Sequence, residues 1–234
     1  LIPSNEEEEF RLKFIPSGFM SAGELSIEPA KKEIEAFSKR VVRMYDFIPE
    51  LFELNDDKKF EQLMSRTHKY EEITDRMEVE IANYLTKVSE NGMSLGASQE
   101  ISAMLRIVDN LESIGDSCYQ LSLTIDSKRK QNIAYSQEMN EKLQKMFSLV
   151  KEAVLEMNNN LSANYHNVSI DRAKELENRI NEYRDQLRTE HTEAVKQNQY
   201  PYQTGISYST LYAQCEKLAD FAINVTEAID KIKK

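Results

Sequence analysis

The chain has 234 residues, 40% hydrophobic and 30% charged, with 6 glycines, 5 prolines and a formal net charge of −10. So little glycine and proline favours long helices over strands and turns. The acidic balance argues against direct nucleic-acid binding, which needs a basic surface, and against unassisted phosphate binding.

Residues 1–27 hold two of the five prolines and the acidic run Glu6–Glu9, and read as an irregular lead-in. Within it, residues 10–15 alternate enough for a short extended segment. A helical pattern begins near Ser26, with Pro29 suited to a first turn. Ile34, Phe37, Val41, Met44, Ile48 and Leu51 then recur at three- and four-residue spacing, predicting a helix over 28–54. Asn55-Asp56-Asp57 supplies a turn and an N-cap. The second helix runs to about Ser89 and ends at Asn91-Gly92. A third is predicted from about Ser98 to Lys130, and a fourth from Tyr135-Ser136 to about Tyr165. The fifth covers Ser169 to Gln197. Tyr200-Pro201 through Gly205 breaks the pattern, and the sixth runs from about Ser207 to Ile232. The expected fold is all-α: two tandem antiparallel three-helix bundles, over 28–131 and 132–234, joined by short connections. No apolar run approaches the roughly 20 residues that cross a bilayer, and no secretory signal is present. Cys118 and Cys215 are too few for a disulfide framework and read as buried small hydrophobes.

One acidic segment occurs twice. Glu112 and Asp116 sit four apart in the third helix, and Glu216 and Asp220 repeat them in the sixth, each 104 residues later. Residues four apart share a helix face, so each pair projects two carboxylates together. Asp109 extends the first pair, and Glu71, Asp75 and Glu78 form a ladder on the neighbouring second helix. All-oxygen ligands of this kind suit hard cations such as iron(III), manganese, magnesium or calcium better than zinc. In a chain with 40 acids one such pair arises by chance on a solvated face. Two at matched positions of a duplication point to a site. The second copy is weaker. Glu177 matches Glu71, but Asn181 and Arg184 stand where Asp75 and Glu78 would be. Glu216 and Asp220 are expected to lie nearly opposite the apolar stripe, more exposed than the first pair. His68, His166 and His191 show no zinc spacing, and no phosphate loop or nucleophile motif is present.

The segment Asp109-Asn110-Leu111-Glu112-Ser113-Ile114-Gly115-Asp116 resembles the PhoU family's LERIGD motif, with Ser113 in place of Arg. Cys215 to Asp220 is a looser match, with Ala219 for Gly. Glu71 and Asp75 match the family's second-helix motif, and Glu177 with Asn181 matches half of it. The resemblance implies two three-helix bundles binding a multinuclear iron or other metal cluster, without catalysis. PhoU-like domains also form the cytoplasmic part of bacterial sodium/phosphate cotransporters. The lead-in Phe10 to Pro16 looks like the junction in those proteins, and the start at Leu1 suits a domain cut from one. The implied role is therefore regulation of phosphate transport at the cytoplasmic face of the cell membrane. The implied partner is a membrane transporter domain in the same chain or beside it; no nucleic acid is involved, and a homo-oligomer is left open. The alternatives are a free PhoU-type regulator and a purely structural helical module without metal.

Overall fold

The computed structural model describes residues 12–15, 26–90, 93–163 and 168–232. Among them are six helices and no strand: α1 (Glu28–Glu53), α2 (Asp57–Ser89), α3 (Leu95–Lys130), α4 (Gln137–Ser162), α5 (Ile170–Lys196) and α6 (Tyr202–Ile232). Pro29 opens α1 as expected. Asp56, Ser94 and Ser136 cap α2, α3 and α4, each side chain accepting a backbone N–H three residues on. The α1–α2 turn is clamped from outside. Arg129 at the end of α3 donates to the carbonyls of Leu54 and Asn55 at 2.6 and 2.8 Å and to the Asp57 carboxylate at 2.5 Å.

Three boundaries differ from the sequence expectation. α3 starts at Leu95, because Ser94 rather than Ser98 caps it. α4 ends at Ser162, short of Tyr165. α6 starts at Tyr202 and runs through Gly205, whose N–H bonds the Pro201 carbonyl. Gly205 is no turn glycine. A Cβ there would lie 3.0 Å from His191 Cε1 and 3.2 Å from the Tyr200 ring, so its absence lets two rings approach the helix. The extended segment expected at 10–15 is not seen: residues 12–15 form a bend, and 10 and 11 lie outside the described residues. Asn91, Gly92 and His166 also lie outside them.

α1, α2 and α3 pack on one another, and so do α4, α5 and α6. The two triplets meet chiefly through α3 against α6 and α1 against α4, while α2 and α5 pack mainly within their own triplets. α3 and α6 are therefore central, and both are buried over most of their circumference. A single continuous core links the triplets, from Phe37 and Tyr45 through Ile107 and Cys118 to Cys215 and Ile229. Both cysteines are free and fully buried, as expected. Tyr45 on α1 donates its hydroxyl to the Phe147 carbonyl of α4 at 2.8 Å, which satisfies a buried polar group across the α1–α4 seam.

Candidate functional site

The α2–α3 groove brings two acid ladders face to face. Glu71, Asp75 and Glu78 project from α2, and Asp109, Glu112 and Asp116 from α3. The helices run antiparallel, so Asp116 lies at the level of Glu71 and Asp75, Glu112 between Asp75 and Glu78, and Asp109 by Glu78. Their mutual effects follow that register. Burial first, then the charges of Glu78, Asp75 and Asp116, push the Glu112 carboxyl up to about 7. Burial and Asp75 raise Glu71; burial and Asp116 raise Asp75; burial and Asp109 raise Glu78. Like charges that raise one another's proton affinity form a site short of positive charge.

Close backbone approach holds the ladders together. A Cβ on Gly115 would lie 2.7 Å from Thr74 Oγ1. Glycine is thus required where α3 crosses Thr74, which is flanked by Asp75 as Gly115 is by Asp116. Thr74 Oγ1 in turn donates to the Glu71 carbonyl at 2.8 Å. At one end of the groove His68 stacks on Tyr119 at 5.2 Å, with Nδ1 3.4 Å from Glu71 Oε2.

The α5–α6 groove holds the second copy, and its charge is different. Arg184 of α5 places Nη1 2.5 Å from Glu216 Oε1, so the second glutamate has a cationic partner where Glu112 faces Glu78, Asp75 and Asp116. Asp220 is still raised to about 6, by burial first and then by Glu216 and Glu177, against the lowering pull of Arg184. The expectation that this pair is the more exposed is corrected. The Glu216 side chain is 18% exposed and Asp220 is half-buried, whereas Asp116 is exposed. The expectation assumed one apolar stripe, but α6 packs against α3, α4 and α5 at once, so its acids lie in a groove.

The sequence of residues 34–125 matches the PhoU domain family. The match lies within α1–α3, the helices that carry the like-charged groove. Beyond it, the fold resembles the crystal structure of PhoU from Pseudomonas aeruginosa, with a TM-score of 0.76. The two chains are 13% identical, and the superposition covers 88% of this chain and 96% of that one. At that identity the likeness establishes the fold. No curated protein is detectably similar in sequence.

The PhoU resemblance implies a metal, and the donor set tests it. The α2–α3 groove offers six carboxylates and no soft ligand, and the Glu112 carboxyl, pushed up to about 7, marks where a cation would relieve repulsion. That chemistry fits a hard cation. Among the described residues, however, no three His, Cys, Asp or Glu side chains converge as a metal-holding group. Sequence reading found the acids but missed Thr74, whose role shows only once Gly115 is seen to press on it. The Gly115 in the motif was the available signal.

Proposed function

We propose that this chain is a non-catalytic regulatory domain of sodium-dependent phosphate transport, and that its first acid groove is a cation site. The observation that carries the reading is the opposed ladder of Glu71, Asp75, Glu78, Asp109, Glu112 and Asp116, with Glu112 raised to about 7. A hard cation bound there would supply the positive charge that a chain of net charge −10 otherwise lacks for phosphate. The protein's own part is to fix the carboxylates. Gly115 against Thr74 sets the separation of α2 and α3, and Thr74 holds the helix turn that carries Glu71. Glu177, Glu216 and Asp220 form a weaker second site, because Arg184 occupies Glu216 and Asn181 adds no charge.

No helix among the described residues is long and apolar enough to cross a membrane. The regulatory reading therefore needs a membrane partner at the cytoplasmic face, in the same chain or a neighbouring one. That no three acids converge favours a second reading, a structural helical module without metal. Uptake of labelled phosphate separates the two. Cells carrying the full-length gene product should lose the phosphate dependence of uptake when Glu112→Gln and Asp116→Asn are introduced together. An unchanged dependence in that variant, with loss only on removal of residues 28–234, would leave the structural module.

A further inference from the structure

One stretch of the groove between the central helices α3 and α6 carries no charge. A cavity of about 420 Å³ lies there. α3 contributes Gln120, Thr124 and Ser127 to its wall, and α6 contributes Gln203, Ser207 and Thr210. Each set follows four- and three-residue steps along a single helix face. None of the ten lining residues is charged, where a chain that is 30% charged would place three on average. Two hydrogen bonds fix the wall. Thr124 Oγ1 donates to Gln214 Oε1 across the two helices at 3.1 Å, and the Ser207 and Tyr135 hydroxyls meet at 2.6 Å.

The same stretch gathers apolar side chains at the surface. Among the described residues eight large hydrophobic side chains are exposed, and three of them are here. Leu123 is 38% exposed, Ile206 46%, and Tyr202, one turn before Ile206 on the same face, 79%. Leu123 and Ile206 line the cavity together with Ile133. Val79, Leu155 and Val195 lie on other helices. Single exposed apolar residues are ordinary, whereas a cluster with a polar rim marks a contact surface. At the rim the Gln120 amide donates to Asp116 Oδ1 at 3.4 Å, one turn further along α3.

We propose that this α3–α6 groove is the surface through which two copies of the chain associate about a twofold axis. A twofold contact sets a patch against itself, so the patch must complement itself. Carboxamides and hydroxyls do, because each group both donates and accepts hydrogen bonds. The acid ladders do not, since carboxylates would face carboxylates. A net charge of −10 opposes the approach of two chains. Contact is therefore favoured where charge is absent and apolar surface can be buried. Leu123, Ile206 and Tyr202 supply that surface. An acidic or basic partner segment would find no counter-charge in this wall, which favours a second copy as the occupant.

Sedimentation velocity of the purified chain over a concentration series reads the association. A dimer is expected. Raising the salt should leave it intact or tighten it, because screening relieves the repulsion between two acidic chains and the groove offers no ion pair to weaken. Leu123→Glu with Ile206→Glu sets like charges across the axis and should raise the dissociation constant at least tenfold. Tyr202→Glu, at the most exposed of the three positions, should act in the same direction without disturbing the fold. Leu155→Glu on α4 should change nothing. An equimolar mixture of Ile206→Glu and Ile206→Lys chains should associate more tightly than either variant alone. A chain that stays monomeric at every concentration overturns the proposal, as does a dimer that salt disrupts or that the groove variants leave unchanged. A monomer whose phosphate dependence of uptake is lost in Leu123→Glu/Ile206→Glu assigns the groove to the membrane partner and likewise overturns it. The acid-groove reading stands or falls separately, since these side chains lie outside both acid grooves.

Discussion

The α2–α3 and α5–α6 grooves share one carboxylate spacing and differ in what faces it. In the first, Glu112 looks across at Glu78 and Asp75 and is driven up to about 7. In the second, Glu216 looks across at Arg184 and is paired at 2.5 Å. Glu78 and Arg184 occupy corresponding positions, so one change of sign converts a repulsive ladder into an ion pair. The residues beneath differ too. Gly115 corresponds to Ala219 at the 104-residue offset, so the close approach that needs glycine is a feature of the first groove. Spacing alone therefore does not make a site; the sign of the opposing helix does.

The largest expected effect tests the cation directly. Manganese(II) at about a hundred times its dissociation constant should stabilise the chain by about 2.7 kcal/mol. Thermal melts with and without EDTA measure it. The increment should vanish in Glu112→Gln/Asp116→Asn and survive Glu216→Gln; the reverse pattern would invert the ranking of the grooves. Next comes Gly115→Ala. Pressing a methyl onto Thr74 should cost about 1–2 kcal/mol, overpacking outweighing the gain in helix propensity. Adding Thr74→Ala should recover part of the loss in urea denaturation, and a neutral Gly115→Ala would show that the helices can separate freely.

A smaller effect is the pH dependence. An unfolded glutamate titrates near 4.5, whereas folded Glu112 holds its proton to about 7. The folded state thus binds more protons between those values, so stability falls as pH rises from about 4.5 to 7 and is flat above. The change is about 1 kcal/mol once solvent screening of this half-exposed group is discounted. Metal-free unfolding at pH 5 and pH 8 should show it, and Glu112→Gln should flatten the slope; an unchanged slope would assign it to other acids. The smallest effect, about 0.5 kcal/mol, is expected for Arg184→Gln, which removes the Glu216 pair and brings the second groove closer to the first. Its readout is a further rise of the Asp220 carboxyl above about 6, followed by NMR titration.

The helices were legible because apolar residues recur at helical spacing through α1, α2 and α4, as with Ile34, Phe37, Val41 and Met44 in α1. Two of the errors share a cause. Gly205 and Pro201 were read as a break because their packing partners, His191 and Tyr200, become neighbours only in the fold. Likewise, a wheel with one buried stripe exposes Asp220, but α6 has three neighbouring helices. The first groove's acids were legible from spacing, and Arg184 showed that the second would be less anionic.

The continuous core has a consequence for how the chain opens. α3 and α6 lie side by side with Cys118 and Cys215 fully buried, and the Tyr45 hydroxyl ties α1 to α4. No seam lets one triplet melt while the other keeps its apolar surface covered. Amide hydrogens near Cys118 and Cys215 should therefore exchange at the same slow rate, set by global unfolding. Those of α5, which buries only Ala173, Leu176, Ile180, Tyr183 and Leu187, should exchange sooner through local opening. A sequence that repeats itself would then unfold as a single cooperative body, with α5, among the described helices, the place where deuterium enters early.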